Sequence, residues 1–362
     1  MSILSLQRRL APLLRPAAAA YGAAMKLRAA RYASPLLARP YRAACPVISV
    51  GNISWGGTGK TPVVDYLLGK TEEANLRTVV LTRGYKAAPP ELPFPVSVKD
   101  DPQTAGDEPL LLARRHPHAL VLVDPKRSRA AAWAEKNAAP QLFLLDDGMQ
   151  HLAIERDLNL VLLKPDDLLD GWDSVIPAGT WREGKSALAR ADAFCMKLDA
   201  ALLPSILPVA EKRLKTFRRP LFFFDLFPTG LIRLVPSDRA VPETIPNLGG
   251  AAYTLLCGTG NPEHVRRTAQ TLLGAAPEAS IIVQDHHQYT EEDAIRARAS
   301  GNPIVCTAKD AVKLTRLLPV FGEVPVWILD ARAVFGKTLF TENTFDAWWE
   351  ENCRRLLATK FT

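Results

Sequence analysis

The chain has 362 residues, 48% hydrophobic and 23% charged, which suffices for two well-packed domains of ordinary size. Its five cysteines (Cys45, Cys195, Cys257, Cys306, Cys353) have no paired spacing, which excludes a disulfide framework or closed zinc site and fits a reducing compartment. Eight of the 45 basic residues lie in residues 1–45, where there is no acid, and the other 37 meet 38 acids, so the body of the chain is not that of a nucleic-acid-binding protein.

The chain opens with Ile3, Leu6, Leu10 and Leu13 on one helical face, Leu14 close by, and Arg8 and Arg15 on another. A basic amphipathic helix of this kind suits an anionic membrane surface; packing on the protein's own surface is the alternative. Pro12 and Pro16 are expected to break or kink it. No uncharged apolar run reaches the ~18 residues of a transmembrane span. An export signal would conflict with the nucleotide loop that follows.

That loop is Gly51-Asn-Ile-Ser-Trp-Gly-Gly-Thr-Gly-Lys-Thr-Pro62, directly after the apolar run 46–50. In a strand–loop–helix of this composition, the main chain of Gly56, Gly57, Thr58 and Gly59 surrounds phosphate oxygens. Lys60 reaches the β- and γ-phosphates, and the Thr61 hydroxyl can ligate Mg²⁺. Ser54 stands where the usual pattern has glycine. Trp55 stands where one class of ATPases has an extra lysine. The plainer reading is a glycine-rich turn.

Apolar runs at 78–82, 119–123, 141–145 and 158–163 alternate with helical stretches such as 108–115 and 126–137. Continuously apolar strands predict a parallel sheet covered on both faces, hence an α/β sandwich over about residues 46–200, with ligands beyond the carboxyl ends of the strands. Arg83, Arg127 and Arg182 sit in loops on that side, where arginine suits phosphate, although each taken alone also reads as a solvated surface charge. Asp107 in Gly106-Asp-Glu-Pro109 reads equally as a helix cap and as a carboxylate that accepts a hydroxyl proton. Asp146-Asp147, at the tip of an apolar strand, can hold Mg²⁺ or simply form a turn with Gly148; His151 is a polar neighbour. Residues 201–250, with seven prolines, read as a crossover. A second α/β unit follows. In it Asp285-His286-His287 suits a His–carboxylate pair, with a surface loop as the alternative.

In this order the motifs resemble the tetraacyldisaccharide 4′-kinase family of lipid A biosynthesis. The resemblance rests on 50–62, Leu81-Thr-Arg-Gly-Tyr85, 106–114, Leu145-Asp-Asp-Gly-Met-Gln-His151, Pro177-Ala-Gly179 with Arg182-Glu183, Asp285-His-His287 and Thr307-Ala-Lys-Asp-Ala-Val-Lys313, and spans about residues 20–315. Met149, Trp181 and the stretch Cys257–Pro262 depart from the family's usual letters. The resemblance implies a membrane-associated kinase on the cytoplasmic face of the inner membrane. It would use ATP and Mg²⁺ to phosphorylate the 4′-hydroxyl of a tetraacylated glucosamine disaccharide 1-phosphate. Its partners would be that lipid and an anionic membrane surface, with no nucleic acid; no motif sets an oligomeric state. Lys60 and Thr61 would serve nucleotide and metal, and Asp146 and Asp147 the metal side. Asp107 would be the catalytic base, assisted by His286, and Arg83, Arg127 and Arg182 would bind phosphate. The expected fold is α/β, a P-loop parallel-sheet sandwich with a second, smaller α/β domain. Its parts would be a basic membrane-associating segment (1–45), a nucleotide-binding domain (46–220) and a C-terminal domain (221–362) whose closure assembles the Asp107–His286 pair. Two rivals fit parts of the pattern. A deviant-loop ATPase switch would want a lysine at Trp55. A GTPase-like module would want asparagine at Met196 of Met196-Lys-Leu-Asp199.

Overall fold

The computed structural model describes residues 3–236 and 242–360, without the side chains of 3–6 and 8. The chain runs α1 (Ile3–Ala33), β1 (Val47–Asn52), α2 (Lys60–Glu73), β2 (Thr78–Thr82), α3 (Asp107–Arg115), β3 (Leu120–Val123), α4 (Arg127–Asn137), β4 (Leu142–Asp146), β5 (Leu158–Leu163) and β6 (Ala193–Lys197). It continues through α5 (Leu203–Leu214), β7 (Leu221–Arg233), β8 (Thr254–Gly258), α6 (Pro262–Leu273), β9 (Ala279–Val283), α7 (Glu291–Arg298), β10 (Ile304–Thr307), α8 (Ala308–Leu314), β11 (Val326–Leu339) and α9 (Phe345–Lys360), with shorter turns between.

These elements form two compact units: residues 1–83, 118–225 and 334–362 in the first, 84–117 and 226–333 in the second. The sequence reading put one boundary at 220/221 and missed that 84–117 belongs with the later segment. The physical reason is a shared core, in which Ala105 and Leu110 pack with Val312.

In the first unit, seven parallel strands run in the order β7-β6-β5-β1-β4-β2-β3. Both faces are covered, as the apolar runs require. Val79, Leu81, Phe143 and Leu145 pack under the alanines of α4, while Val161, Leu163, Phe194 and Met196 pack with Ile206 and Ala210 of α5. Fully burying each such large side chain is worth about 1.5–3 kcal/mol. Val50 of β1 pairs with Asp146 of β4, and Leu81 of β2 with Leu145, so the carboxyl ends that carry the loop and the acids are aligned. The stretch read as a crossover in fact contains α5 and the buried strand Leu221–Phe224. Of its prolines, Pro204 stands in the first turn of α5 and Pro220 just before β7, where they cost little, while Pro208 lies inside α5 and Pro228 inside β7. Phe224 leads into an aromatic group: its ring lies 5.2 Å from that of Phe335, which stacks on Phe345 at 3.7 Å.

Helix α1 is continuous over 31 residues despite Pro12 and Pro16. The expected break does not occur because both prolines are exposed, so water can take the carbonyls they leave unpaired. Its inward positions recur at three- and four-residue spacing through Gln7, Ala11, Leu14, Ala18 and Met25. Leu10, Leu13 and Leu27 face outward, so Leu14 does not share the face of Leu10 and Leu13. The expected contributions of the Ile3, Leu6 and Arg8 side chains lie outside the described residues. Gln7 Nε2 donates to the carbonyls of Pro177 (2.8 Å) and Gly179 (2.7 Å), and Arg28 to that of Gln150 (3.0 Å).

The second unit has its own parallel strands in the order β9-β8-β10-β11. Leu256, Ile304, Cys306 and Leu314 centre one of its cores, and Leu255, Val305 and Trp327 another.

Candidate active site

The loop after β1 ends at Gly59, whose φ of 88° an L side chain would strain; a Cβ there would also sit 3.0 Å from the Phe224 ring. No side chain caps the N-terminus of α2, so its first N–H groups are left to face an anion. Pro62 lies within the first turn, where its missing N–H costs no helix bond. The Thr58 hydroxyl is buried without a hydrogen-bond partner.

Of the two departures from the general loop pattern, Ser54 is explained by its side chain, and Trp55, whose side chain is exposed, takes part through its main chain. Ser54 Oγ donates to Asp167 Oδ2 at 2.8 Å, and the other Asp167 oxygen accepts from Trp181 Nε1 at 3.0 Å. Burial raises the Asp167 carboxyl, opposed by the Lys164 N–H, Ser54 and Trp181. The main chain follows the same pairing: Trp55 N–H donates to Thr180 O at 3.0 Å and Arg182 N–H to Ile53 O at 2.7 Å. The segment 180–182 is thereby laid beside the loop, and this delivers Arg182. Lys164 Nζ reaches the same place and donates to Trp55 O at 2.9 Å.

Lys60 Nζ lies 3.3 Å from Asn52 Oδ1 and 3.5 Å from Asp147 Oδ1. Arg182 Nη1 donates to both Asp147 oxygens at 2.8 and 2.9 Å and to Gln150 Oε1 at 3.2 Å. Burial alone would raise the Asp147 carboxyl, but Lys60, Arg182 and Arg127 outweigh it and hold it below the usual range. Asp147 is also held at φ 52°, a left-handed conformation that costs about 1–3 kcal/mol and tends to mark functional sites. Asp146 is 6% exposed and accepts the Thr82 hydroxyl at 2.9 Å. Asp146, Asp147 and the Thr61 hydroxyl are hard oxygen donors, the kind Mg²⁺ takes when phosphate and water fill its other positions, so the residues fit that ion.

The three arginines differ. Arg182 is joined to the loop as described, and its neighbour Glu183 turns away to Arg190 at 2.7 Å. Arg83 is exposed beyond β2. Arg127 is 2% exposed, and its terminal nitrogens donate to the carbonyls of Asp124 (3.3 Å), Pro125 (3.4 Å) and Asp146 (3.3 Å), bracing the ends of β3 and β4. Burial lowers Arg127 to about 10 against the pull of Asp146 and Asp147. Burial, helped by Arg127, Arg83 and Arg28, drives His151 down to about 4, so its ring is neutral at neutral pH.

In the second unit, Asp107 is the first residue of α3, but the capping position belongs to Gly106 (φ 89°), where a Cβ would sit 3.3 Å from Pro109 Cδ. The Asp107 carboxylate therefore faces elsewhere. Its Oδ2 lies 3.4 Å from His286 Nδ1 and 3.7 Å from Lys313 Nζ, and the residue is 7% exposed. His286 is held at φ 62°, with the Tyr85 ring edge-on at 5.3 Å. Burial and then Lys309 lower its imidazole, against Asp285 and Asp107. Asp107 and His286 belong to the same compact unit, so the expectation that domain closure assembles them is corrected: their contact is internal to that unit. His287 does different work, meeting Asp293 at 2.8 Å and tying down the start of α7.

Sequence reasoning passed over Asn52, Gln150, Lys164 and Asp167. Gln150 Nε2 donates to Asn52 O at 3.1 Å, linking the acid motif to the loop. The signal for Asn52 was present: a polar residue closing an apolar strand just before the glycines, with 0% exposure. Asp167 had no such signal.

A family model described as tetraacyldisaccharide-1-P 4′-kinase matches residues 10–348. The tetraacyldisaccharide 4′-kinase of Nitratidesulfovibrio vulgaris is 46% identical over 356 residues, 98% of each chain. That of Oleidesulfovibrio alaskensis is 45% identical over 98% of this chain and 99% of its own. Among solved structures, LpxK from Aquifex aeolicus, crystallised in complex with ATP, is similar with a TM-score of 0.71 and 26% identity, over 98% of this chain and 100% of that one. The chain belongs to the tetraacyldisaccharide-1-P 4′-kinase family.

Proposed function

We propose that this chain transfers the γ-phosphoryl group of ATP to the 4′-hydroxyl of a tetraacylated glucosamine disaccharide 1-phosphate, with Asp107 as the base. The observation that carries the reading is that Asp107 is buried beside His286 instead of capping its own helix. A nucleotide switch has no need of an acceptor base; a kinase does. The uncapped start of α2 and Lys60 hold the donor phosphates, with Arg182 and Arg83 as further cations. Asp146, Thr61 and Asp147 would hold Mg²⁺, which when bound neutralises charge on the phosphate oxygens. As the hydroxyl oxygen bonds to the γ-phosphorus and the bond to the β-phosphate oxygen breaks, Asp107 accepts the hydroxyl proton and ADP leaves. Asp107→Asn should lower kcat by about 10²–10⁴-fold with ATP binding intact. The assay is radiolabelled ATP, Mg²⁺ and the lipid acceptor; near-normal product formation by this variant would remove the base assignment.

The same reading places α1 on an anionic membrane surface at the cytoplasmic face, where ATP is available. Leu13 and Leu27 are 78% and 74% exposed on a segment that carries eight cations and no acid. Among the described residues no helix is long and apolar enough to cross a membrane. Leu13→Glu with Leu27→Glu should abolish co-sedimentation with anionic vesicles, and retained binding would argue for another contact.

A further inference from the structure

Two lysines of α8, Lys309 and Lys313, stand one turn apart and both reach the Asp107–His286 pair. Lys309 Nζ is held by Asp285 Oδ1 at 2.8 Å and Glu108 Oε1 at 3.8 Å, and lies 3.3 Å from His286 Nε2. Burial alone would lower Lys309, but Glu108 and Asp285 outweigh it, so the group stays an ammonium. An ammonium has donors and no acceptor. Its contact therefore makes Nε2 the accepting nitrogen of a neutral ring and leaves the ring proton on Nδ1, which faces Asp107 Oδ2 at 3.4 Å.

Lys313 approaches the same carboxylate from inside. It is 1% exposed, and its Nζ makes no hydrogen bond, lies 5.3 Å from the centre of the Tyr289 ring and is 3.7 Å from both Asp107 Oδ2 and Asp310 Oδ1. A buried ammonium is costly unless anions compensate it. Asp310 is fixed in turn by the Thr307 hydroxyl (2.6 Å), the Tyr289 hydroxyl (2.9 Å) and the Gly258 N–H (3.1 Å). The ammonium is thus anchored on one side, and Asp107 is the second anion it faces.

We propose that Lys309 and Lys313 are positioning residues for the acceptor base: Lys309 selects the His286 tautomer that donates Nδ1–H to Asp107, and Lys313 holds the Asp107 carboxylate from its buried side. This rests on Asp107 being the base. On this account the histidine orients and does not itself carry charge, and the cation opposite Asp107 is a lysine.

The test combines ¹⁵N NMR of the His286 ring in the full chain with steady-state kinetics. Wild type should show the Nδ1–H tautomer. Lys309→Met should populate Nε2–H and lower kcat about 10-fold with KM for ATP unchanged. Lys313→Met should lower kcat by about 10- to 100-fold, and Lys313→Arg should recover part of it. If Lys313→Met fails to fold, the partly exposed Lys309 still decides. An Nε2–H tautomer in wild type, or a Lys309→Met protein with unchanged tautomer and kcat, overturns the proposal. Asp107→Asn separates the two claims. If it stays active, the base reading falls. If it is inactive while both folded Met variants are fully active, only the lysine assignment falls.

Discussion

Two loops of this molecule look alike on paper. Gly56-Gly-Thr-Gly-Lys60 follows β1 and leads into α2; Gly258-Thr-Gly-Asn-Pro262 follows β8 and leads into α6. Their helix starts differ in one decisive respect. The first has no side-chain cap, and Lys60 stands beside its open N–H groups. The second is closed by its own residues: Asn261 Oδ1 accepts from His264 N–H at 3.2 Å, Thr259 Oγ1 accepts from Asn261 N–H at 3.3 Å, and Gly258 N–H is taken by Asp310. Glycines after a strand can thus serve a phosphate only where the helix has not already satisfied its own donors. The second unit's proposed contribution lies instead in Asp107 and His286.

Among changes at and around the two loops, the largest expected effect tests the open one. Lys60→Ala should lower kcat/KM for ATP by about 10²–10³-fold, read from initial rates and calorimetric ATP binding. Wild-type behaviour would mean the first loop is no more a phosphate site than the second. An intermediate effect concerns the field around that loop. His151 is held at about 4 against an ordinary 6.5, so the unfolded chain binds a proton first as pH falls. The associated stability is fully present above pH 6.5 and is lost as pH drops towards about 4. His151→Gln should flatten this part of the acid slope in urea midpoints taken at neutral and mildly acid pH; an unchanged slope would mean that burial and the cations there depress the ring less strongly. The smallest effect tests the closed loop. Asn261→Ala should cost about 1 kcal/mol by denaturant titration and leave ATP affinity untouched. A gain in phosphate binding by this variant would make capping alone the difference between the loops.

What could be read from the sequence follows from how local each signal is. The parallel strands were plain because a strand buried on both faces must be apolar throughout, as Leu142–Leu145 and Leu160–Leu163 are. The loop was plain because glycine, lysine and threonine act within one turn of chain. Ser54 looked like a defect because its partner Asp167 lies 113 residues further on. Helix α1 was misread at its prolines because their cost depends on which side meets water. The discontinuous second unit was invisible because no pattern in 84–117 says that Leu110 will share a core with Val312. Asp107 and His286 were connected only through family resemblance; taken alone, Asp107 fitted a helix cap equally well, and the stretch around His286 also allowed a surface loop.

The interleaving of the two units also bears on how the protein is made. Asp107 leaves the ribosome 179 residues ahead of His286, a wait of roughly 10–35 s at ordinary elongation rates. The nucleotide-holding unit finishes later still, because Phe335 and Phe345, which extend the aromatic group from Phe224, belong to residues 334–362. A nascent chain stopped at residue 333 would own every side chain proposed to bind phosphate or accept the proton, and still lack the rings that back Phe224 behind Gly59. Premature termination should therefore leave no half-working fragment, only exposed apolar surface for the cell to clear.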